Sequence, residues 1–257
     1  MSIQESGIWK GGWINWERLQ LFDDDEINNN KLLQIQYNGS NMKECYEKNK
    51  KIGNRCLIKI RDEIIVKNIN KETVVLEIGP GRGAWTKTMI KYNPKKIFCF
   101  DVFSAEYNNF WNFVGVENKN KIEYFKVNNF LCNDLQDNSI DFLFSYDVFC
   151  HISYNNTELY LKNLYSKLKE DAVCSIMIAD YNKSIKNNKP IVRVRAPQGT
   201  YNSFQEELED INGPFYKGRF YYYGIDKFCD LLKKYNYTII NKDIGIDDQN
   251  VICIFKK

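Results

Sequence analysis

Three glycines and one acid stand close together near residue 80, in a pattern that suits a nucleotide ligand. The sequence VVLEIGPGRG places Glu77, Gly79, Pro80, Gly81 and Gly83 at the end of an apolar run. Glycine lets the backbone turn tightly and approach a ligand where a side chain would collide. Helix-forming residues resume at position 84, so the free amides of a helix should face the loop. The pattern predicts a nucleotide-binding strand, loop and helix.

The spacing of the loop separates two classes of cofactor. A dinucleotide loop reads G-x-G-x-x-G, whereas this loop reads G-x-G-x-G and has Glu77 two residues before Gly79. An acid at this position would repel a pyrophosphate but would attract a ligand that carries an amino group and a sulfonium. We therefore expect S-adenosylmethionine as the cofactor. The alternative is a glycine turn that binds no ligand.

Three side chains are candidates for accepting a proton during a group transfer. His151 is the only histidine of the chain, and histidine is the side chain best suited to accept a proton near neutral pH. Asp147 and Asp180 are the alternative bases. Two of them have alternative roles. His151 can hydrogen-bond inside the fold, and Asp147 can bind the cofactor or cap a helix.

These residues need a scaffold, and the hydrophobic periodicity predicts one. Apolar runs predict strands, and 3.6-residue patterns predict the helices that connect them. The predicted strands are 74–78, 96–100, 122–127, 142–145, 173–178, 237–240 and 251–255, and the main predicted helices are 42–66, 84–92, 157–169 and 226–235. Alternation of this kind predicts an α/β fold, a doubly wound sheet of seven mostly parallel strands. The loops of Gly79, Asp101, Asn129 and Ser145 should then meet at its carboxyl edge.

Asp101 follows the second predicted strand, about 20 residues after the glycine loop. A carboxylate at that position can accept hydrogen bonds from both ribose hydroxyls of an adenosine group. The adenine ring would then lie near Val102 and Phe103. The alternative role for Asp101 is a helix N-cap, which aspartate also favours.

With E-x-G-P-G-x-G in place, the chain resembles the class I S-adenosylmethionine-dependent methyltransferases from about Glu77 to its C-terminus. The resemblance implies that Asn128 or Asn129 binds the adenine amino group. It also implies that the segment from Ser145 and Tyr146 to Val148 lines the reaction centre. The fold that it implies is Rossmann-like, with a helical lid at the N-terminus and an insertion after the fifth strand.

The segments EIGPGRGAWT and FSYDVFCHI resemble those of bacterial sugar O-methyltransferases that modify cell-surface polysaccharides. This resemblance implies methyl transfer to an oxygen of a phosphorylated or nucleotide-linked sugar. The segment IADYNKS departs from it because it carries no histidine. N-methylation, methylation of an ionised phosphate or carboxylate, and an inactive cofactor-binding subunit are the alternatives.

We expect a single domain over residues 1–257, since nothing in the composition demands a second one. Within it, residues 1–72 are predicted to form the lid, 73–180 the cofactor-binding core, 181–224 a substrate cap, and 225–257 a closing helix and strand hairpin. Three arginines of the cap are candidates for binding an anionic acceptor, with surface salt bridges as the alternative. They are Arg193, Arg195 and Arg219.

Charge, motifs and cysteine spacing limit the partners, the location and the metal content that we expect. A net charge of +3 gives no support to a nucleic-acid partner, and no N/D-P-P-Y/F motif follows the fourth strand. The N-terminus lacks the features of a signal peptide and no apolar run is long enough to span a membrane, so we expect a cytoplasmic protein. The eight cysteines are scattered without a C-x-x-C pair, which predicts reduced thiols and no metal site.

Overall fold

The computed structural model describes residues 59–191, 196–216 and 218–257. Most of the predicted N-terminal lid therefore lies outside the described residues and stays a prediction. Its last part is helical, with a π-helical turn Arg61–Ile65 that continues into Val66–Asn68. Ile60, Ile64 and Ile65 are buried, so the end of this helix packs against the core.

The described residues contain one sheet of seven strands. In chain order the strands are β1 Val74–Ile78, β2 Lys96–Asp101, β3 Ile122–Lys126, β4 Ile140–Ser145, β5 Leu168–Ala179, β6 Thr238–Asn241 and β7 Asn250–Lys256. Their order across the sheet is β3-β2-β1-β4-β5-β7-β6. The first five strands run parallel to one another, whereas β7 runs antiparallel to both β5 and β6. The predicted seven-stranded, mostly parallel sheet is confirmed.

Helices cover both faces of this sheet. They are α1 Ala84–Ile90, α2 Phe110–Val114, α3 Tyr154–Leu164, α4 Tyr181–Lys186, α5 Phe204–Glu209 and α6 Gly224–Lys234. Residues of α3 and α6 belong to the core on one face, and residues of α1, α2 and the helical turn at 61–65 belong to the core on the other. A short 3-10 turn, Phe149–His151, lies between β4 and α3.

The central strands are buried on both sides, as expected for parallel strands between two layers of helices. In β1, Leu76 and Ile78 contribute to one core and Val75 to the other. All three side chains are at most 3% exposed. Among the described residues, no helix has the length and apolar character needed to cross a membrane.

The helix predicted at 157–169 is placed too late in the chain. Helix α3 ends at Leu164, and Leu168 begins β5 by pairing with Ile140 of β4. Leu168 is fully buried, and a buried leucine four residues after Leu164 satisfies a helical pattern as well as a strand. The pairing with β4, which periodicity does not report, decides between them.

Six of the eight cysteines lie among the described residues, and all six are free and buried. This agrees with the prediction of reduced thiols at those positions. Cys45 and Cys56 lie outside the described residues.

Gly83 allows α1 and α2 to pack closely. Its backbone has a φ of +94°, and a Cβ at this position would lie 2.2 Å from Val114 Cγ2 and 2.7 Å from Phe110 Cε2. The left-handed conformation and the close approach both require glycine.

We expect Gly83→Ala to lower the free energy of unfolding by about 2 to 4 kcal/mol, the combined cost of left-handed strain and overpacking. Gly199→Ala is the matched control, because Gly199 has a φ of +81° but nothing within 4 Å of its Cβ position. It should show the strain alone, about 1 kcal/mol. Urea denaturation measures both, and equal losses would contradict the packing role of Gly83.

Candidate active site

Hydrogen bonds between the strand ends bring the loops after β1, β2 and β4 together. The Gly79 amide donates to the Phe100 carbonyl at 2.7 Å, and Ser145 Oγ donates to the Ile78 carbonyl at 3.0 Å. Val148, in the loop after β4, packs directly on the glycine loop. A Cβ at Gly79 would lie only 2.2 Å from Val148 Cγ2, so the two loops meet where there is no room for a side chain.

Asp101 lies against the glycine loop. Its Oδ2 accepts the Gly81 amide at 3.0 Å, and its Oδ1 accepts the Phe103 amide at 2.8 Å. The side chain is buried, and this burial raises the pKa of Asp101 above its ordinary value. The Val102 amide and the Asn108 side chain also hydrogen-bond to this carboxyl group. The arrangement fits a ribose and would repel a phosphate group.

Glu77 has a different environment from the one that its position in the sequence suggested. It is 2% exposed, and its Oε2 accepts the Thr86 hydroxyl at 2.5 Å. Burial raises the pKa of Glu77 to about 8, so the carboxyl group is largely protonated at neutral pH. The electrostatic part of the cofactor argument is therefore corrected, because the carboxylate that hydrogen-bonds to the glycine loop belongs to Asp101.

The residues expected around the adenine lie at the carboxyl ends of β2 and β3. Phe103 is buried and stacks on Tyr107, with ring centroids 4.7 Å apart. Val102 is half-buried, whereas Asn128 and Asn129 are exposed just beyond β3. Asn129 already accepts the Leu131 amide through its side-chain oxygen at 2.9 Å. The structure brings these positions to one edge of the sheet, and their role in binding stays a proposal.

Ser145 and Tyr146 end β4 next to the glycine loop. Ser145 is buried and its hydroxyl is engaged by the Ile78 carbonyl. Tyr146 is half-buried and packs edge-on against Trp85 of α1, with centroids 5.6 Å apart. Tyr146 therefore connects the segment after β4 to helix α1.

The segment after Tyr146 brings three reactive side chains together. One donor atom from each of Asp147, Cys150 and His151 lies within 4.8 Å of the others. The sequence analysis missed this group, although the spacing D-x-x-C-H was a visible signal. The Cys150 thiol donates to Asp147 Oδ1 at 3.5 Å, and burial raises the pKa of Cys150 well above its ordinary value. The three side chains therefore form one polar cluster, in which a hydrogen bond joins Cys150 to Asp147.

Asp147 itself has two unusual features. Its backbone has a φ of +61°, in the left-handed region that non-glycine residues seldom adopt. Burial also raises the pKa of its carboxyl group, while the charge of His151 acts in the opposite direction. Strained backbone and a perturbed carboxyl group both occur frequently at functional sites.

His151 is held by one defined hydrogen bond. Its Nδ1 lies 2.7 Å from the carbonyl oxygen of Arg219, and its ring packs edge-on against Phe220. A carbonyl oxygen can only accept, so Nδ1 carries the proton. In the neutral ring the lone pair is then on Nε2.

Asp180 serves as a helix cap. Its Oδ1 accepts the Lys183 amide at 2.9 Å and its Oδ2 accepts the Ile225 amide at 3.0 Å. The side chain is buried. Both oxygens accept backbone amides, one in α4 and one in α6, so the structure gives Asp180 a capping role, and its role as an alternative base stays a prediction.

Arg219 is a buried structural residue. It is 1% exposed, and its guanidinium donates to the Pro214 carbonyl at 2.7 Å, the Asp210 carbonyl at 2.5 Å and the Tyr201 hydroxyl at 2.7 Å. Because the side chain is almost fully buried and its two terminal nitrogens donate within the protein, the prediction that Arg219 binds an anionic acceptor is wrong. Arg193 and Arg195 lie outside the described residues.

The fold and the site together define a class I S-adenosylmethionine-dependent methyltransferase. The sheet order, the glycine loop after β1 and the acid at the tip of β2 carry this assignment. Residues 47–242 match the model of a family described as "Methyltransferase domain", and the chain belongs to this family. Its cofactor is S-adenosylmethionine. No curated protein matches the sequence significantly.

Several solved structures share the fold at low sequence identity. A protein from Pyrococcus horikoshii has a TM-score of 0.58 at 17% identity, over 79% of this chain and 90% of its own. A putative S-adenosylmethionine-dependent methyltransferase from Listeria monocytogenes has 0.54 at 12%, over 77% and 97%. The 1,6-didemethyltoxoflavin-N1-methyltransferase of Burkholderia thailandensis, with its acceptor and S-adenosylhomocysteine bound, has 0.54 at 12%, over 84% and 82%. At these identities the likeness shows the fold alone.

The environment of Glu77 predicts a pH dependence of stability. Its folded pKa of about 8 exceeds the ordinary 4.5, so between these values the folded state holds a proton that the unfolded state has released. The contribution of this proton to the free energy of unfolding is fully present below the pKa of Glu77 in the unfolded state. It is lost as the pH rises through the pKa of Glu77 in the folded state.

Between about pH 5 and pH 8, we expect the wild type to lose up to about 1.4 kcal/mol per pH unit relative to Glu77→Gln. Glutamine can still accept the Thr86 hydroxyl but does not titrate. Urea denaturation of both proteins across this range measures the difference. Parallel stability curves would show that Glu77 does not carry the proton.

Proposed function

We propose that this methyltransferase transfers a methyl group to an oxygen of a small molecule, and that His151 accepts the hydroxyl proton. The observation that carries this proposal is the 2.7 Å hydrogen bond from His151 Nδ1 to the Arg219 carbonyl. It leaves Nε2 as the basic nitrogen, on a turn that directly follows Val148 and its contact with the glycine loop. A hydroxyl is a poor nucleophile, so a base that removes its proton aids the transfer.

The cofactor would be held along the carboxyl edge of the sheet. When bound, S-adenosylmethionine supplies a methyl group on a positively charged sulfur, which already makes that group reactive. In our proposal Asp101 accepts the ribose hydroxyls, Phe103 and Val102 contact the adenine, and Asn128 or Asn129 binds its amino group. The backbone at Gly79, Pro80, Gly81 and Gly83, with Ser145 and Tyr146, borders the methionine portion.

Positioning accounts for most of the catalysis in this proposal. Holding acceptor and donor in line replaces a bimolecular encounter, and this effect can be larger than that of a single base. Asp147 is half-buried, has a left-handed backbone and lies four residues before His151, so it is the second candidate for contact with the reacting groups. In our proposal its carboxyl group hydrogen-bonds to the acceptor hydroxyl.

We further propose a sugar or sugar derivative as the acceptor. Half-buried aromatic rings next to His151 support this choice, because sugars stack on tyrosine and phenylalanine faces. These rings are Tyr181, Phe220 and Tyr222, which contact one another edge-on or stacked. The bacterial polysaccharide role rests on the resemblance of EIGPGRGAWT and FSYDVFCHI alone. An anionic acceptor has lost the support of Arg219, since that guanidinium is occupied.

A second candidate function is N-methylation of a flat heteroaromatic ring. The same row of aromatic side chains favours it, because planar rings stack well on such surfaces. A ring nitrogen brings its own lone pair, so this reaction needs no base. One structure that shares the fold is that of a 1,6-didemethyltoxoflavin-N1-methyltransferase.

Asp101→Ala tests the cofactor site. We expect affinity for S-adenosylmethionine to fall by about 1 to 3 kcal/mol, roughly 5- to 150-fold, since hydrogen bonds to a charged group are lost and two backbone amides lose their acceptor. Asp137→Ala is the control, because Asp137 pairs with Lys167 at the surface. Calorimetry measures both, with a nicotinamide dinucleotide as the competing ligand class. Unchanged affinity in Asp101→Ala would remove Asp101 from the site.

Two substitutions distinguish a catalytic role of His151 from a structural one. His151→Asn keeps a side-chain N–H that can donate to the Arg219 carbonyl but removes the basic nitrogen. His151→Ala removes both. If His151 is the base, both variants should lose about 10²- to 10⁴-fold in turnover with cofactor affinity unchanged.

A structural role gives the opposite result. His151→Asn would then keep both its turnover and its stability, and only His151→Ala would be impaired. The acceptor panel for these assays contains a neutral sugar, a sugar phosphate, a nucleotide-linked sugar and a planar nitrogen heterocycle. Methylation of the heterocycle alone, with His151→Asn fully active, would replace the first candidate function by the second.

A further inference from the structure

The 3-10 turn that carries His151 is attached to a single extended segment, residues 219–223. The Tyr221 amide donates to the Cys150 carbonyl at 2.8 Å, and the Tyr223 hydroxyl donates to the Phe149 carbonyl at 3.2 Å. His151 Nδ1 donates to the Arg219 carbonyl at 2.7 Å. All three residues of the turn are therefore bonded to this segment, which belongs to the insertion after β5.

The side chain of Arg219 fastens that segment to the rest of the insertion. Its guanidinium binds the Tyr201 hydroxyl and the carbonyls of Asp210 and Pro214. These acceptors come from three separate points of the chain. An arginine can serve them together because its donors are arranged in a rigid planar fork.

Aromatic rings complete the environment of this buried cation. The guanidinium carbon lies 4.4 Å from the ring centre of Tyr221, 5.3 Å from that of Tyr201 and 5.4 Å from that of Tyr216. Ring faces attract a cation, most strongly where water is excluded. Removing the guanidinium would remove hydrogen bonds to the Pro214 and Asp210 carbonyls and to the Tyr201 hydroxyl, and would leave a cavity between the three rings. The position of the Arg219 backbone thus depends on its own side chain.

This position matters for the chemistry of His151. With the Arg219 carbonyl at 2.7 Å, Nδ1 must carry the proton, because an unprotonated Nδ1 would place two lone pairs against each other. The hydrogen bond of one ring nitrogen determines which nitrogen is basic. If the carbonyl moved away, this hydrogen bond would no longer hold the proton on Nδ1.

We infer that Arg219 is a positioning residue, which holds the insertion through its side chain and fixes the tautomer of His151 through its carbonyl. The inference rests on the proposed role of His151 as the base. It makes the folded insertion part of the catalytic apparatus in addition to any contact with the acceptor. Methyl transfer would then require that the insertion be in place before the base is competent.

Histidine-selective ¹⁵N labelling tests this directly, because the chain has one histidine and its two nitrogens are observed without overlap. We expect the wild type to show a protonated Nδ1 and an unprotonated Nε2. Arg219→Met should give a mixture of tautomers, and Arg219→Lys an intermediate result, since one ammonium group cannot bind all three acceptors.

Turnover is measured with the best acceptor of the panel above, and cofactor affinity by calorimetry. Arg219→Met should lose about 10-fold or more in turnover, a part of the 10²- to 10⁴-fold attributed to a base, with affinity within about 2-fold. Tyr237→Phe is the control for lost stability, because it removes a buried hydrogen bond to the Leu161 carbonyl. It should keep the wild-type tautomer and turnover.

The outcomes separate this inference from the proposed function. A protonated Nδ1 retained in folded Arg219→Met overturns the inference, whatever the turnover. A changed tautomer with wild-type turnover also overturns it if His151→Asn is inactive, since the base then works without Arg219. Full turnover of His151→Asn shows instead that the proposed base role has failed, and the inference fails with it. A changed tautomer with reduced turnover, and an unchanged Tyr237→Phe, supports both.

Discussion

The contact of Val148 with Gly79 joins the two loops on which the site is built. The loop after β1 is the glycine loop, and the segment after β4 carries Tyr146, Asp147 and His151. Because the Val148 methyl group occupies the space of a Cβ at Gly79, any other residue there would push the loops apart. Hydrogen bonds from Gly79 to Phe100 and from Ser145 to Ile78 keep the strand ends in register beneath this contact.

Four acidic residues near this edge illustrate how environment decides the role of a carboxyl group. Glu77 is buried beside Thr86 and keeps its proton at neutral pH. Asp101 and Asp180 each bind two backbone amides, but only Asp101 lies on the glycine loop. Asp147 lies on a strained backbone beside Cys150 and His151. Residue type alone would give these four groups the same chemistry.

The insertion after β5 is built around a buried cation. Burying such a charge is costly unless it is paired and hydrogen-bonded. At Arg219 the two terminal nitrogens donate to carbonyls and a hydroxyl, and three aromatic rings surround the guanidinium, whereas Nε has no hydrogen-bond partner among the described residues. The cost of disrupting so many interactions gives the part around Arg219 a defined conformation, although the described residues of the insertion include just two short helices, α4 and α5. That conformation reaches the turn of His151 through backbone hydrogen bonds.

The sequence by itself determined the sheet, the glycine loop and the carboxyl edge at which Asp101, Asn129 and Ser145 meet. These follow from periodicity and glycine spacing, which depend on residues close together in the sequence, and from the general handedness of parallel connections. The sequence pattern predicts an end of α3 that is too late, because a buried Leu168 fits a helix and a strand equally well. The tertiary structure alone decided that Glu77 is protonated, that Asp180 is a cap and that Arg219 is buried. Charge state and partner choice depend on burial and on residues distant in sequence, such as the Arg219 carbonyl that orients His151, and no local pattern reports them.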